Sequence, residues 1–103
     1  MDSLFFYKNP NFNTFIVLKQ TQLVKQIDGN RFEKINKFVT SGDLCDGIFV
    51  KKDNKIYIDL GVNKILGFNV FIPVVKIDET NDNIITYMDY LQRTKPKTNN
   101  KLK

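Results

Sequence analysis

Few side chains in this sequence are equipped for chemistry. Cys45 is the single thiol, and there is no His. Without imidazole, neither a Ser-His nor a Cys-His pair can form, and most zinc and copper sites are excluded. One Cys allows no internal disulfide. Seven of the eleven carboxylates form three groups: Asp43 with Asp46, Asp53 with Asp59, and Asp78, Glu79 and Asp82. Paired carboxylates can do acid–base work or hold a divalent ion. These lack a calcium-loop spacing and sit at expected strand starts and turns, where Asp bonds to backbone. The five Gly have no phosphate-loop spacing. The expectation is a binding or structural module, not an enzyme, with no catalytic residue, metal or cofactor.

Two features remain that could bind. Tyr57 alternates with Ile56 and Ile58, so it is expected to point outward while they point inward. A base stacked on it would contribute roughly 1–3 kcal/mol; protein packing or plain exposure is the competing reading. The second feature is the segment LQRTKPKTNNKLK, residues 91–103. It carries Arg93, Lys95, Lys97, Lys101 and Lys103 and no acid. The whole chain has 16 basic and 11 acidic residues, so removing these five leaves 11 of each. The positive excess therefore lies entirely in a polar tail, suited to RNA or another polyanion. The alternative is a solubilising end.

These side chains need elements to hold them. The length of 103 residues, 42% hydrophobic and 26% charged, suits one globular core. In residues 1–13, Phe5, Phe6, Tyr7 and Phe12 surround the breaker Asn9-Pro10. In residues 14–28, Ile16, Val17, Leu23, Val24 and Ile27 recur at helical spacing ahead of Gly29-Asn30, although TFIVL is locally strand-like. Phe32, Ile35, Phe38 and Val39 suit one face of a short helix. Residues 1–41 are thus expected to form a partly helical extension, with Phe5, Phe6, Phe12, Phe15 and Ile16 docking on a neighbouring protein. From Gly42 the period changes to two. GDLCDGIFVKK, IYIDL, two strands within KILGFNVFIPVVKID, and NIITYMDYL are separated by turns at Asp53-Asn54-Lys55, Gly61-Val62-Asn63 and Asp78 to Asn83. Such spacing predicts a small antiparallel barrel or sandwich with Cys45, Phe49, Ile56, Ile58 and Leu60 inside. Residues 92–103 form the tail.

The stretch Gly42-Asp43, Asp46-Gly47, Phe49-Val50, then Ile56-Tyr57-Ile58-Asp59-Leu60-Gly61 and Gly67-Phe68 resembles the S-one RNA-binding domain. VVKIDETNDNIITYMDYL is similar to that domain's last two strands. The resemblance covers residues 42–91. It implies a mainly β chain with a five-stranded antiparallel OB-fold barrel. Tyr57 matches the second stacking aromatic of the family's RNA face, and Asn54 falls where the first stands. The implied role is a structural, RNA-contacting component of a small ribosomal subunit. It would touch ribosomal RNA or mRNA through Tyr57 and the tail, and neighbouring ribosomal proteins through residues 1–41.

Residue usage adds a location. Fourteen Lys against two Arg, twelve Asn and no Ala resemble translation of an AT-rich genome. No secretory or Arg-rich leader and no run of roughly 18 apolar residues stands out, so no membrane is expected. A mitochondrial ribosome is the first expectation. The alternatives are a viral single-domain translation-factor decoy that binds a host kinase in infected cytoplasm, or an unrelated small viral β-protein.

Overall fold

A computed structural model describes residues 12–94. Strands β1 (Phe12–Val17), β2 (Thr21–Asp28), β3 (Arg31–Val39), β4 (Leu44–Lys52), β5 (Lys55–Asn63), β6 (Phe68–Pro73) and β7 (Ile84–Thr86) precede one helix, α1 (Tyr87–Thr94). The seven strands form one sheet in the order β3-β2-β6-β5-β4-β1-β7. Every neighbouring pair is antiparallel.

The fold is mainly β, as the period-two pattern implies, but it is not a five-stranded barrel. Residues 42–91 supply only β4, β5, β6, β7 and most of α1. Their sheet continues through β1, which lies between β4 and β7, and through β2, which pairs with β6. Among the described residues β3 and β7 are the edges, so the sheet stays open. The partly helical extension is also corrected: its described part is three strands. The helical spacing came from adjacent buried pairs. Ile16 and Val17, and Leu23 and Val24, are all buried, and neighbours in a strand face opposite sides. Leu23 joins the main core, whereas Val24 packs on the other face with Tyr57 and Phe71. Gly29-Asn30 is the hairpin turn between β2 and β3, not a helix end.

The main core contains Phe15, Leu23, Ile58, Ile72 and Ile84. Phe15 on β1 and Leu23 on β2 share it although three strands separate them in the sheet. The sheet must therefore curl strongly around this face. Two devices bend it. In β5 the register shifts by one residue between Asp59 and Val62. Gly61, at φ +85°, occupies this bulge, and its N–H donates to the Asp59 carboxylate at 2.8 Å. At Gly47 a Cβ would lie 2.7 Å from both the Asp59 carbonyl oxygen and Ile58 Cγ2, so the two strands need glycine there.

The turns differ in detail from expectation. Asp53 and Asn54, both at positive φ, make a two-residue loop between paired Lys52 and Lys55, as the tight-turn reading requires. Gly61 to Asn63 is strand, and the turn falls at residues 64–67, where the Asn63 side chain accepts from the N–H groups of Ile65 and Leu66. The apolar run up to Pro73 holds one strand. The final strand stops at Thr86, whose hydroxyl accepts from the Asp89 N–H at 3.1 Å and starts α1.

Ile58 is fully buried as expected, but Phe49 and Ile56 are 39% and 42% exposed. Phe49 meets the Phe15 ring edge-on at 5.0 Å and keeps the rest of its surface open. Phe15 and Ile16 are core rather than docking residues. Phe5, Phe6 and Tyr7 lie outside the described residues.

Candidate polyanion-binding groove

The sheet places Tyr57 where a base cannot reach its face. The ring is 8% exposed and lies parallel to Phe32, with centroids 4.0 Å apart and planes at 18°. Phe71 meets both rings edge-on. The outward direction expected for Tyr57 holds, since it sits on the face opposite Ile58. Strand β3 then folds over that face, so the solvent-side ring is Phe32. Reading RFEKINKFV as a helix concealed this.

Arg93 is already partnered. Its guanidinium pairs with Asp89 at 2.7 Å, one helical turn earlier, and donates to the Asn81 side chain. It thus ties α1 to the turn after β6. Lys95, Lys97, Lys101 and Lys103 lie outside the described residues.

The carboxylates hold backbone and hydroxyl groups. Asp43 accepts from the Thr40 N–H and hydroxyl, and Asp46 from the Thr14 hydroxyl at 2.6 Å. Asp59 accepts from Gly61 N–H and the Asn69 amide. Asp78 accepts from Thr80 and Asn81, and the Thr80 backbone bond is the main cause that holds its carboxyl below the usual range. Among the described residues no three His, Cys, Asp or Glu are grouped to hold a metal. Burial first, then Asp43 and Asp46, push the Cys45 thiol up. Cys45 is therefore a poor nucleophile at neutral pH.

A groove of about 410 Å³ brings Lys19, Lys34 and Lys76 together with Gln20 and Gln22. Lys19 stands on the turn between β1 and β2, where the N–H groups of Leu18 and Lys19 donate to the Asn83 carbonyl. Lys34 stands on edge strand β3 opposite Val24. Lys76 follows β6 and forms an isolated bridge with Asp82. Among the described residues no carboxylate lines the groove. The ion pairs among the described residues are Lys25–Glu33, Arg31–Asp28 and Arg93–Asp89, so none uses these lysines.

A second groove of about 500 Å³ adjoins it, sharing Lys34, Pro73 and Val75. Its walls include Val24, Phe32, Tyr57 and Val74, with Lys55 and Asn54 at the β4–β5 turn. Comparison with protein-family models, with curated proteins and with solved structures finds no match. The chemistry of the grooves therefore stands on their residues alone. Four lysines and no lining acid present a cationic track beside an apolar, aromatic wall, a combination suited to an anionic chain that also carries flat apolar groups. The composition of these four positions is unremarkable in sequence. Lys19, Lys34, Lys55 and Lys76 are spread over the chain and converge only across the sheet.

Proposed function

We propose that the protein is a non-catalytic, RNA-contacting component of a ribonucleoprotein particle, with the small subunit of a mitochondrial ribosome as its setting. The observation that carries this reading is the groove of Lys19, Lys34 and Lys76, lined by no acid among the described residues. Cations gathered on one face of a body whose charges balance overall favour a polyanion. Lys95, Lys97, Lys101 and Lys103 add to this reading by their charge alone. The order of glycines and aromatics shared with S-one domains and the AT-rich residue usage support the ribosomal setting.

The test is RNA affinity across a salt series, for wild type and for Lys19→Gln/Lys34→Gln/Lys76→Gln. Each phosphate contact on a single strand contributes about −0.7 to the slope of log affinity against log salt. Loss of all three contacts should flatten the slope by roughly 2. An unchanged slope would place RNA elsewhere and remove the groove from this reading. Sedimentation of tagged protein with small-subunit RNA checks the setting, and its appearance away from ribosomal fractions would overturn it.

A further inference from the structure

We propose that Phe32 is a stacking platform for an unpaired nucleobase, which makes the groove selective for single-stranded over duplex RNA. This inference rests on the RNA reading above and names the form of RNA the site takes.

Phe32 is the outer member of an aromatic stack. Tyr57 lies parallel beneath it and Phe71 meets it edge-on at 5.2 Å. Tyr57 is buried, whereas Phe32 is only half-buried. A ring backed on one face and one edge is held in place before any ligand arrives, so little side-chain entropy is lost on stacking. Phe32 and Lys34 are two residues apart on β3, so they share a face of the sheet. Both line the 500 Å³ groove, as do Lys55 and the apolar Val24 and Pro73. That size falls within the roughly 300–1,000 Å³ of small-ligand sites. The juxtaposition is the one a nucleotide presents: a flat apolar base against Phe32, with phosphates at Lys34 and Lys55.

The form of the RNA follows. In a duplex every interior base is stacked on both neighbours and has no free face for Phe32. A duplex can meet the lysines but not the ring. The groove walls are mainly apolar and offer few groups to read base edges, so the preference should be for unpaired strands with little dependence on sequence.

The experiment uses the full chain with an unstructured oligouridylate and a blunt RNA duplex of equal length. Phe32→Leu keeps an apolar cover over Tyr57 but has no π face. It should weaken oligouridylate binding by about 5- to 160-fold, the range for loss of one stacked base. Duplex affinity and both salt slopes should stay unchanged. Lys34→Gln should weaken both RNAs and flatten the single-strand slope by about 0.7. Equal loss on both RNAs with Phe32→Leu, or no loss, would show that the ring only covers Tyr57 and would overturn the platform while leaving the RNA reading intact. If wild type binds neither RNA, the RNA reading fails and the platform falls with it. Photocrosslinking of wild-type protein to a thiouridine-substituted strand needs no variant and serves if Phe32→Leu does not fold. An adduct on the peptide containing Phe32 is expected, and adducts confined to other segments would overturn the proposal.

Discussion

The Asn83 amide donates to the Thr21 hydroxyl at 2.8 Å, across 62 positions of sequence. The same amide nitrogen donates to the Pro73 carbonyl at 2.9 Å, and its oxygen accepts from the Val75 N–H at 2.7 Å. The Asn83 backbone carbonyl accepts from Leu18 and Lys19. One buried side chain thus joins the start of β2, the end of β6 and the residue entering β7. It ties the curl of the sheet and fixes the floor of the Lys19–Lys34–Lys76 groove.

Replacing Asn83 by Ala should destabilise the protein by about 2–4 kcal/mol, because this residue is 1% exposed and the Val75 N–H, Pro73 carbonyl and Thr21 hydroxyl all lose their partner. Urea unfolding would measure this as a lower midpoint. A loss below about 1 kcal/mol would mean that water satisfies these groups and that the knot is dispensable.

Ile58 and Ile56 lie on one strand and separate two effects. Ile58→Ala should cost about 2–5 kcal/mol, because this side chain is fully buried in the core. Ile56→Ala should cost under about 1 kcal/mol, because Ile56 is 42% exposed. Equal losses in urea unfolding would show that Ile56 is packed as closely as Ile58.

Gly47→Ala should cost about 1–3 kcal/mol by overpacking. The added methyl would meet the Asp59 backbone oxygen at 2.7 Å, which cannot rotate away, as well as Ile58 Cγ2. A neutral result in thermal unfolding would show that β4 and β5 can separate without loss.

Deleting residues 95–103 removes Lys95, Lys97, Lys101 and Lys103 and leaves Arg93 with Asp89 and Asn81. If all four touch phosphate, the salt slope of single-stranded RNA binding should flatten by roughly 2.8. Thermal stability should hold, because the deletion spares every described strand and α1. A slope that does not move would assign the tail to solvation and leave the groove lysines as the cationic site.

Cys45 gives the pH dependence. Its thiol is pushed up in the folded state, chiefly by burial and further by Asp43 and Asp46. The unfolded thiol ionises first, so this group leaves stability unaffected below about pH 8.5. Stability should fall as pH rises above that value toward the folded-state pKa. Alkylation with iodoacetamide near pH 8.5 should be slower for folded than for urea-unfolded protein. Equal rates would show that the thiol is neither shielded nor shifted.

Local patterns in the sequence were read correctly where one residue type meets one local need. Asp53-Asn54 makes a turn because both residues tolerate positive φ. Alternation after Gly42 announced β structure, and the distribution of charge isolated the tail. Strands β1 and β2 were hidden because their buried residues fall in adjacent pairs that face opposite sides of the sheet. Where Ile16-Val17 and Leu23-Val24 are buried as adjacent pairs, the period of two disappears and a helical spacing takes its place.

The sequence by itself determined the β character of residues 42–86, the Asp53-Asn54 turn, the core place of Ile58 and the neutrality of the body. Each depends on a residue and its near neighbours. Only the tertiary structure decided that Tyr57 is covered by Phe32, that Arg93 is held by Asp89 and Asn81, and that Lys19, Lys34, Lys55 and Lys76 share one face. Those outcomes depend on which strands become neighbours in the sheet. Strand order is set by long-range pairing and by the curl that Gly47, Gly61 and Asn83 permit, and no local spacing encodes it.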